Sequence, residues 1–373
     1  MTDYSPLPRS PQFQLDVEHF LAHHWQQRPL LIRQALPDFT PPVTAHELAG
    51  LAMEPEVESR IVEQRQDGWH LQHGPFREAD FQRNCPWTLL VQRVDQWRPE
   101  VASLRGCVDF LPEWRFDDVM VSYASDGGSV GPHFDRYDVF LLQGEGQRRW
   151  LVGERCDDRT PQLNHPDLSL LRDFVTVEEF VLSPGDALYV PPGFAHWGIA
   201  EGPCTTFSLG FRAPRIADLT ARLTDAVLER LAPELLLADH GSILPDARPG
   251  ELSLRQRENA RTAIINALDA LDDGIWLGEL LTEGAPDVAE PTGELPAHLV
   301  RDPIARMVWF ETEQQINLFA NGEALTAPHA ALDMLMALSS GRAIAVRALP
   351  ADLQSLVAYL WRQGVLTAPE ELQ

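Results

Sequence analysis

The sequence predicts an α+β chain built on a double-stranded β-helix barrel. Three observations carry that reading. Between Asp118 and Phe211 the short strand-like runs VMVSY, YDVFLLQ, RRWLVG, EEFVLS, DALYV and TTFSLGF follow one another, separated by Gly, Pro and Asp turns. After Pro214 the pattern switches to apolar residues at helical spacing. Past a stretch rich in Pro, Gly and acids, a compact mixture of helices and strands returns. At 373 residues the chain is too long for one ordinary core. The expected division is a barrel domain over 1–214, a helical region over 215–284, a linker over 285–298 and a C-terminal module over 299–373.

Taken in order, residues 13–36 read as helix and then strand, with Pro29 to Ile32 entering the barrel. Residues 44–100 mix helices (AHELAGLA, WTLLVQRVDQW) with short strands (SRIVEQ, GWHLQHG). In the helical region, Leu219, Leu223, Val227 and Leu231 lie four apart on one stripe. After a polar loop at 240–251, a second stretch puts Ile264, Leu268, Leu271 and Ile275 on one face. Such stripes must be buried somewhere, in a dimer interface or against the chain's own barrel. In the last module, VWFETEQQINLFANGEALTA alternates like strands around an Asn321-Gly322 hairpin turn. PHAALDMLMALSSG and ADLQSLVAYLWRQG read as helices, so a winged-helix-like module is expected. It holds five arginines against eight carboxylates, and a duplex binder needs a basic face. Direct DNA binding is therefore not expected.

The net charge of −25 repels nucleic acid and attracts cationic partners. Lysine is absent, so any anion anchor must be Arg, His, a hydroxyl or backbone. Cys85, Cys107, Cys156 and Cys204 are scattered and form no CxxC pair, which suits a reducing compartment. No apolar run reaches the roughly 18 residues of a membrane helix, and the N-terminus lacks the apolar stretch of a signal peptide. A cytoplasmic protein is expected.

Chemistry concentrates in GPHFDRYDVFLLQGEGQRRW (131–150) and LSPGDALYVPPGFAHWG (182–198). His133 and Asp135, two apart, share a face if both lie on a strand. His196 follows the Pro-Gly-Asp and Pro-Pro-Gly turns. Two imidazoles and one carboxylate can take one face of an octahedral metal and leave the other open, as in non-haem Fe(II) oxygenases. The open positions matter because a co-substrate and O2 must bind the same ion. A lone His-x-Asp is weak evidence, and a buried, hydrogen-bonded histidine pair is the plain alternative.

These segments resemble the cupin-fold JmjC family of Fe(II)- and 2-oxoglutarate-dependent oxygenases. HGPF (73–76) and SLGFRAP (208–214) extend the resemblance, and ELAGLAMEPEVESR (47–60) with DDVMVSY (117–123) narrow it to the bacterial ribosomal oxygenases. That group hydroxylates an arginine of the large-subunit ribosomal protein numbered sixteen. The resemblance covers most of the chain and is weaker in the C-terminal third. It implies a homodimer through the helical region, a winged-helix module and a basic ribosomal protein as substrate.

The resemblance also assigns roles. His133, Asp135 and His196 would bind Fe(II), with 2-oxoglutarate chelating the ion through its keto and C1 carboxylate oxygens. The far carboxylate would meet an arginine fifteen residues after the first histidine, which is Arg148, where a bidentate pair is favoured. Ser122 would assist. On VMVSY, Asp118, Met120 and Ser122 share one face by alternation. Asp118 at its mouth could accept a substrate guanidinium or pair with a resident arginine. Tyr137 and Ser208 are further pocket candidates that also fit as barrel core and as a satisfied strand hydroxyl. The alternatives are another JmjC activity, histidyl hydroxylation or N-methyl-lysine demethylation, and a non-oxidative metal-binding cupin.

Overall fold

A computed structural model describes residues 12–244, 248–271, 273–284, 291 and 293–372. The chain begins with α1 (Val17–His23), β1 (Leu30–Ile32), α2 (Ala45–Leu51), β2 (Ser59–Arg65), β3 (Gly68–His73), β4 (Trp87–Val91) and α3 (Pro99–Ala102). The barrel strands follow: β5 (Phe116–Ala124), β6 (His133–Phe134), β7 (Asp138–Gln143), β8 (Gln147–Arg155), β9 (Glu178–Leu182), β10 (Ala187–Val190), β11 (Phe194–Glu201) and β12 (Cys204–Phe211). Next come the helices α4 (Ile216–Arg230), α5 (Leu254–Asp269) and α6 (Ile275–Thr282). The last part holds β13 (His298–Arg301), β14 (Met307–Glu311), β15 (Ile316–Ala320), β16 (Glu323–Ala327), α7 (Leu332–Ser339), β17 (Ile344–Ala345), α8 (Ala351–Arg362) and β18 (Leu366–Thr367).

An eight-stranded sheet, β1-β10-β7-β12-β5-β4-β2-β3, and a four-stranded sheet, β6-β11-β8-β9, form the barrel. Alternation along β5 and β12 sorts side chains to two faces. Val119, Val121, Phe207, Leu209 and Phe211 join the main core with Phe20, Leu48 and Phe140. The opposite face of the same strands carries Asp118, Met120, Ser122, Thr206 and Ser208, with Ser208 opposite Met120 and Thr206 opposite Ser122. Inside the barrel lies a smaller apolar cluster, Val139, Leu141, Trp150, Val152, Leu182, Leu188 and Val190. The barrel is thus apolar outside, under its covering helices, and mixed inside.

Four expectations need correction. WTLLVQRVDQW is not a helix: Trp87–Val91 is β4, paired with β2 and β5, and only Val94–Gln96 makes a short 3₁₀ turn. The strand is buried along its whole length, so it shows no period-2 signal, while its Trp, Thr and Val favour a strand. The His-x-Asp strand is only His133–Phe134, with Asp135 just past its end. The second helical stretch breaks at Gly274, whose φ of +64° starts α6, so Ile275 does not share a helix with Ile264 and Leu268. Finally, α6 packs on β14, β15 and β16: a Cβ on Gly278 would lie 2.4 Å from the Phe319 ring. This helix, expected with the helical region alone, contacts α4 and packs on the C-terminal module as well.

The stripe of α4 is half-buried at Leu219, Leu223 and Leu231 and buried at Val227. α5 starts in a Ser253–Gln256 capping box yet buries no residue. In the C-terminal module, Asn321 and Gly322, both at positive φ, turn β15 into β16 as the sequence suggested. Its core gathers Leu318, Leu335, Leu338, Leu353, Val357 and Leu360. Of the expected linker, residues 285–290 and 292 lie outside the described residues.

Candidate active site

β6 pairs antiparallel with β11 and sets His133 directly opposite His196. The ring centroids are 4.3 Å apart. Asp135 Oδ2 lies 3.5 Å from His196 Nε2 and 4.0 Å from His133 Nε2. One ligand atom from each residue fits within 4.8 Å of the others, so all three can touch one ion. The Pro-Pro-Gly turn holds the set together. Gly193 takes a φ of +82°, and its N–H donates to the Asp135 carbonyl at 2.7 Å. That bond locks the loop carrying the carboxylate to the turn that launches His196.

Each imidazole is oriented by its own chain. His133 Nδ1–H donates to Gly131 O at 2.9 Å, and His196 Nδ1–H donates to Phe194 O at 3.0 Å. A carbonyl only accepts, so both Nδ1 atoms carry protons and both Nε2 lone pairs are left for a metal. Burial and the neighbouring His133 push the pKa of His196 down to about 4. It is therefore neutral near pH 7, the form that coordinates. Ser129 steadies the surround: its hydroxyl accepts from Gly131 N–H at 3.0 Å and from Trp197 Nε1–H at 2.8 Å.

β8 supplies the cation. Its side chains alternate, so Arg148, Trp150 and Val152 are buried while Arg149 is half-exposed near Glu179 and Glu201. Arg148 is 4% exposed, and its Nε and Nη2 have no hydrogen-bond partner among the described residues. A guanidinium in that state costs several kcal/mol unless an anion joins it. Across the sheet Arg148 pairs with Ala200 and Val152 with His196. Four residues of strand put roughly 13 Å between the His196 and Arg148 positions, room for a small diacid reaching from an ion to the guanidinium. Ala124 and Ala200 pack together, and Ser122 shares Ala124's face, so Ser122 looks towards the sheet that carries Arg148. The donor set and the unpartnered guanidinium fit a metal with a bound dicarboxylate.

Asp118 is buried, but it neither waits bare nor pairs with an arginine side chain. Its Oδ2 accepts from the Gln92 side-chain amide at 2.8 Å and from the Arg93 backbone N–H at 3.1 Å. Burial raises its pKa. Sequence reasoning weighed only ionic partners and missed these neutral donors. Met120 is half-buried, with Sδ 4.0 Å from Arg60 Nη2. Tyr137 lies beneath the Arg212 guanidinium, 5.6 Å from its ring centre, and the nearby Asp135 helps burial keep its phenol protonated. Ser208 is buried on the same face as Asp118 and Met120.

Trp150 is a residue the sequence reading passed over. Its ring lies 5.9 Å from that of His196 and 5.7 Å from the Arg148 guanidinium. Gly198, opposite it in register, makes the space, since a Cβ there would sit 2.7 Å from the indole. The signal existed: Trp150 is two residues from Arg148 on one strand.

Comparison with known proteins adds the lineage. Residues 104–219 match the JmjC domain family, and residues 268–367 match the ROXA-like winged helix. The chain is 36% identical to the ribosomal protein uL16 3-hydroxylase of Escherichia coli, over 87% of this chain and 89% of that protein. This chain belongs to the JmjC ribosomal oxygenases. Like other members of that family it is an oxygenase. Its fold matches a solved structure of YcfD, a ribosomal oxygenase from E. coli, in complex with cobalt and 2-oxoglutarate, with a TM-score of 0.80 and 33% identity. That match covers 95% of this chain and 99% of YcfD. A probable ribosomal oxygenase of Haemophilus influenzae is 42% identical over 54% of this chain and 51% of its own length. No helix among the described residues is long and apolar enough to cross a membrane.

Proposed function

We propose that this ribosomal oxygenase hydroxylates an arginine side chain of the large-subunit ribosomal protein uL16, using Fe(II), 2-oxoglutarate and O2. The observation that carries the reading is Arg148, buried with its Nε and Nη2 lacking a hydrogen-bond partner among the described residues, on the strand beside the His133–Asp135–His196 cluster. Fe(II) with 2-oxoglutarate, when bound, would activate O2, the oxidant: one oxygen atom would enter the C–H bond and the other the succinate formed as 2-oxoglutarate loses CO2. The chain's own residues do the positioning. His133, Asp135 and His196 present three ligand atoms on one side and leave the other side open. Arg148 takes the far carboxylate of 2-oxoglutarate as a charge-assisted pair, with Ser122 beside it.

The substrate enters over Asp118, Met120, Tyr137 and Ser208. Asp118 Oδ1 and the Ser208 hydroxyl would accept guanidinium N–H groups, and Tyr137 and Met120 flank the apolar stem. A net charge of −25 draws in a basic polypeptide. Only one aromatic stands in this set, which suits a guanidinium better than the aromatic cage a methylammonium calls for.

The assembly is a homodimer through α4 and α5. Ile216 is 76% exposed, and Leu228, Leu254 and Ile264 are each more than 60% exposed, a large apolar surface to leave in water. The C-terminal module serves protein contact rather than DNA, and the protein works in the cytoplasm, where uL16 is made. The deciding test is mass spectrometry of uL16 incubated with the protein, Fe(II) and 2-oxoglutarate. A gain of one oxygen on an arginine is expected. Turnover of 2-oxoglutarate with unmodified uL16 would refute the assignment.

A further inference from the structure

Away from the active site, a cavity of about 80 Å³ lies where the barrel domain meets the C-terminal module. A water needs roughly 10–15 Å³ on this measure, so the space takes several waters or one small polyatomic ion. Four arginines line it, Arg93, Arg105, Arg301 and Arg306, with three carboxylates, Asp95, Glu113 and Asp117. In a chain of net charge −25 this is a local reversal of sign.

Two of the carboxylates have other partners, although Asp95 also acts on Arg105. Asp117 pairs with Arg212 at 2.5 Å, and Asp95 accepts the Val119 N–H at 2.8 Å. Glu113 is left to serve both Arg105 and Arg301 through one oxygen, Oε1. Arg301 has a side chain only 7% exposed, and its Nε has no hydrogen-bond partner among the described residues. Burial lowers its pKa to about 10. Arg93 and Arg306 are exposed, and Arg306 Nη1 donates to the Glu283 carbonyl at 3.4 Å. Even with Asp95 acting on Arg105 and Asp302 on Arg301, the four guanidiniums outnumber the carboxylates that face them, and positive charge is in excess.

We propose that this junction binds a small divalent oxyanion of the phosphate class, held from within by Arg105 and Arg301 and at the rim by Arg93 and Arg306. Guanidinium N–H forks match phosphate oxygens bidentately. Arginines converging from two domains suit a tetrahedral anion better than a planar carboxylate. Because Arg105 belongs to the barrel domain and Arg301 to β13, the bound ion rivets the module to the barrel. The proposal is independent of the catalytic reading.

The test uses the full chain without metal, titrated with inorganic phosphate, succinate and chloride at constant ionic strength. Melting temperature and calorimetric binding are read. Phosphate is expected to raise the melting temperature beyond chloride and, in the Arg148→Met chain, where the dicarboxylate anchor is gone, to bind more tightly than succinate. The Arg93→Gln/Arg306→Gln double variant should weaken phosphate binding by about tenfold or more, whereas Arg148→Met should leave it unchanged. Glu113→Gln, by removing the resident competitor, should tighten it. A phosphate effect equal to that of chloride, one untouched by the rim substitutions, one abolished by Arg148→Met, or, in the Arg148→Met chain, stronger binding of succinate than of phosphate overturns the proposal.

Discussion

His133 stands opposite His196 in register across β6 and β11, with 4.3 Å between ring centres. Strand pairing thus sets the two histidines, and the Gly193 N–H bond to Asp135 O ties the loop carrying the carboxylate to them. His196→Ala should reduce succinate formation by more than the roughly 100-fold that loss of a mere outer partner costs. Cobalt(II) titration should show lost affinity, while circular dichroism and the metal-free melting temperature stay near the parent's. Parental turnover in the variant would disprove the ligand set.

Arg148 and Arg149 are neighbours with opposite surroundings. Arg148→Met should raise KM for 2-oxoglutarate by roughly 10- to 100-fold, the loss of a charge-assisted pair. The same change should raise the melting temperature of the ligand-free protein, because an unpartnered buried cation is removed. Arg149→Met should do neither. Steady-state kinetics and thermal melts on both variants separate the two residues, and the opposite ranking would reassign the anchor.

Asp118→Asn should impair uL16 hydroxylation far more than 2-oxoglutarate turnover without peptide, since Asn offers no charge to a guanidinium. Raised salt should weaken peptide capture by the parent chain. Equal loss in both assays would mean that Asp118 only braces Gln92 and Arg93.

Asp95 gives a pH signature. Burial raises its pKa from 3.8 to about 6, so the fold prefers the protonated acid. Its contribution is therefore full below pH 3.8 and is lost as pH rises through about 6. Asp95→Asn keeps an acceptor for Val119 N–H and removes the titration. Relative to the parent, the variant should gain stability between pH 4 and 7, by about 3 kcal/mol at most. Urea melts across that range measure it, and parallel curves would show that Asp95 is not strained.

Ile264→Glu, on the bare face of α5, should turn a dimer into a monomer in sedimentation at micromolar protein. A parent chain that sediments as a monomer would remove the dimer proposal.

Much of this was legible beforehand because it depends on spacing. Arg148 and Arg149 had to part on a strand, and Pro-Pro-Gly had to turn before His196. The helix expected at WTLLVQRVDQW failed because a strand buried on both faces carries no alternation, and its identity comes from β2 and β5, distant in sequence. Asp118's partners were hidden for the same reason: Gln92 lies 26 residues away and reaches it only through the β4–β5 pairing. The second contact of α6 was hidden because its partner Phe319 is known only once β15 is folded.

Trp150 offers a built-in optical probe. An indole 5.9 Å from the His196 ring is close enough for a paramagnetic ion held there to drain its excited state. The chain has ten tryptophans, so the difference in emission between the parent and Trp150→Phe isolates this one. Filling and emptying of the centre could then be followed in real time, without label or substrate, because Gly198 leaves the indole room to lie there.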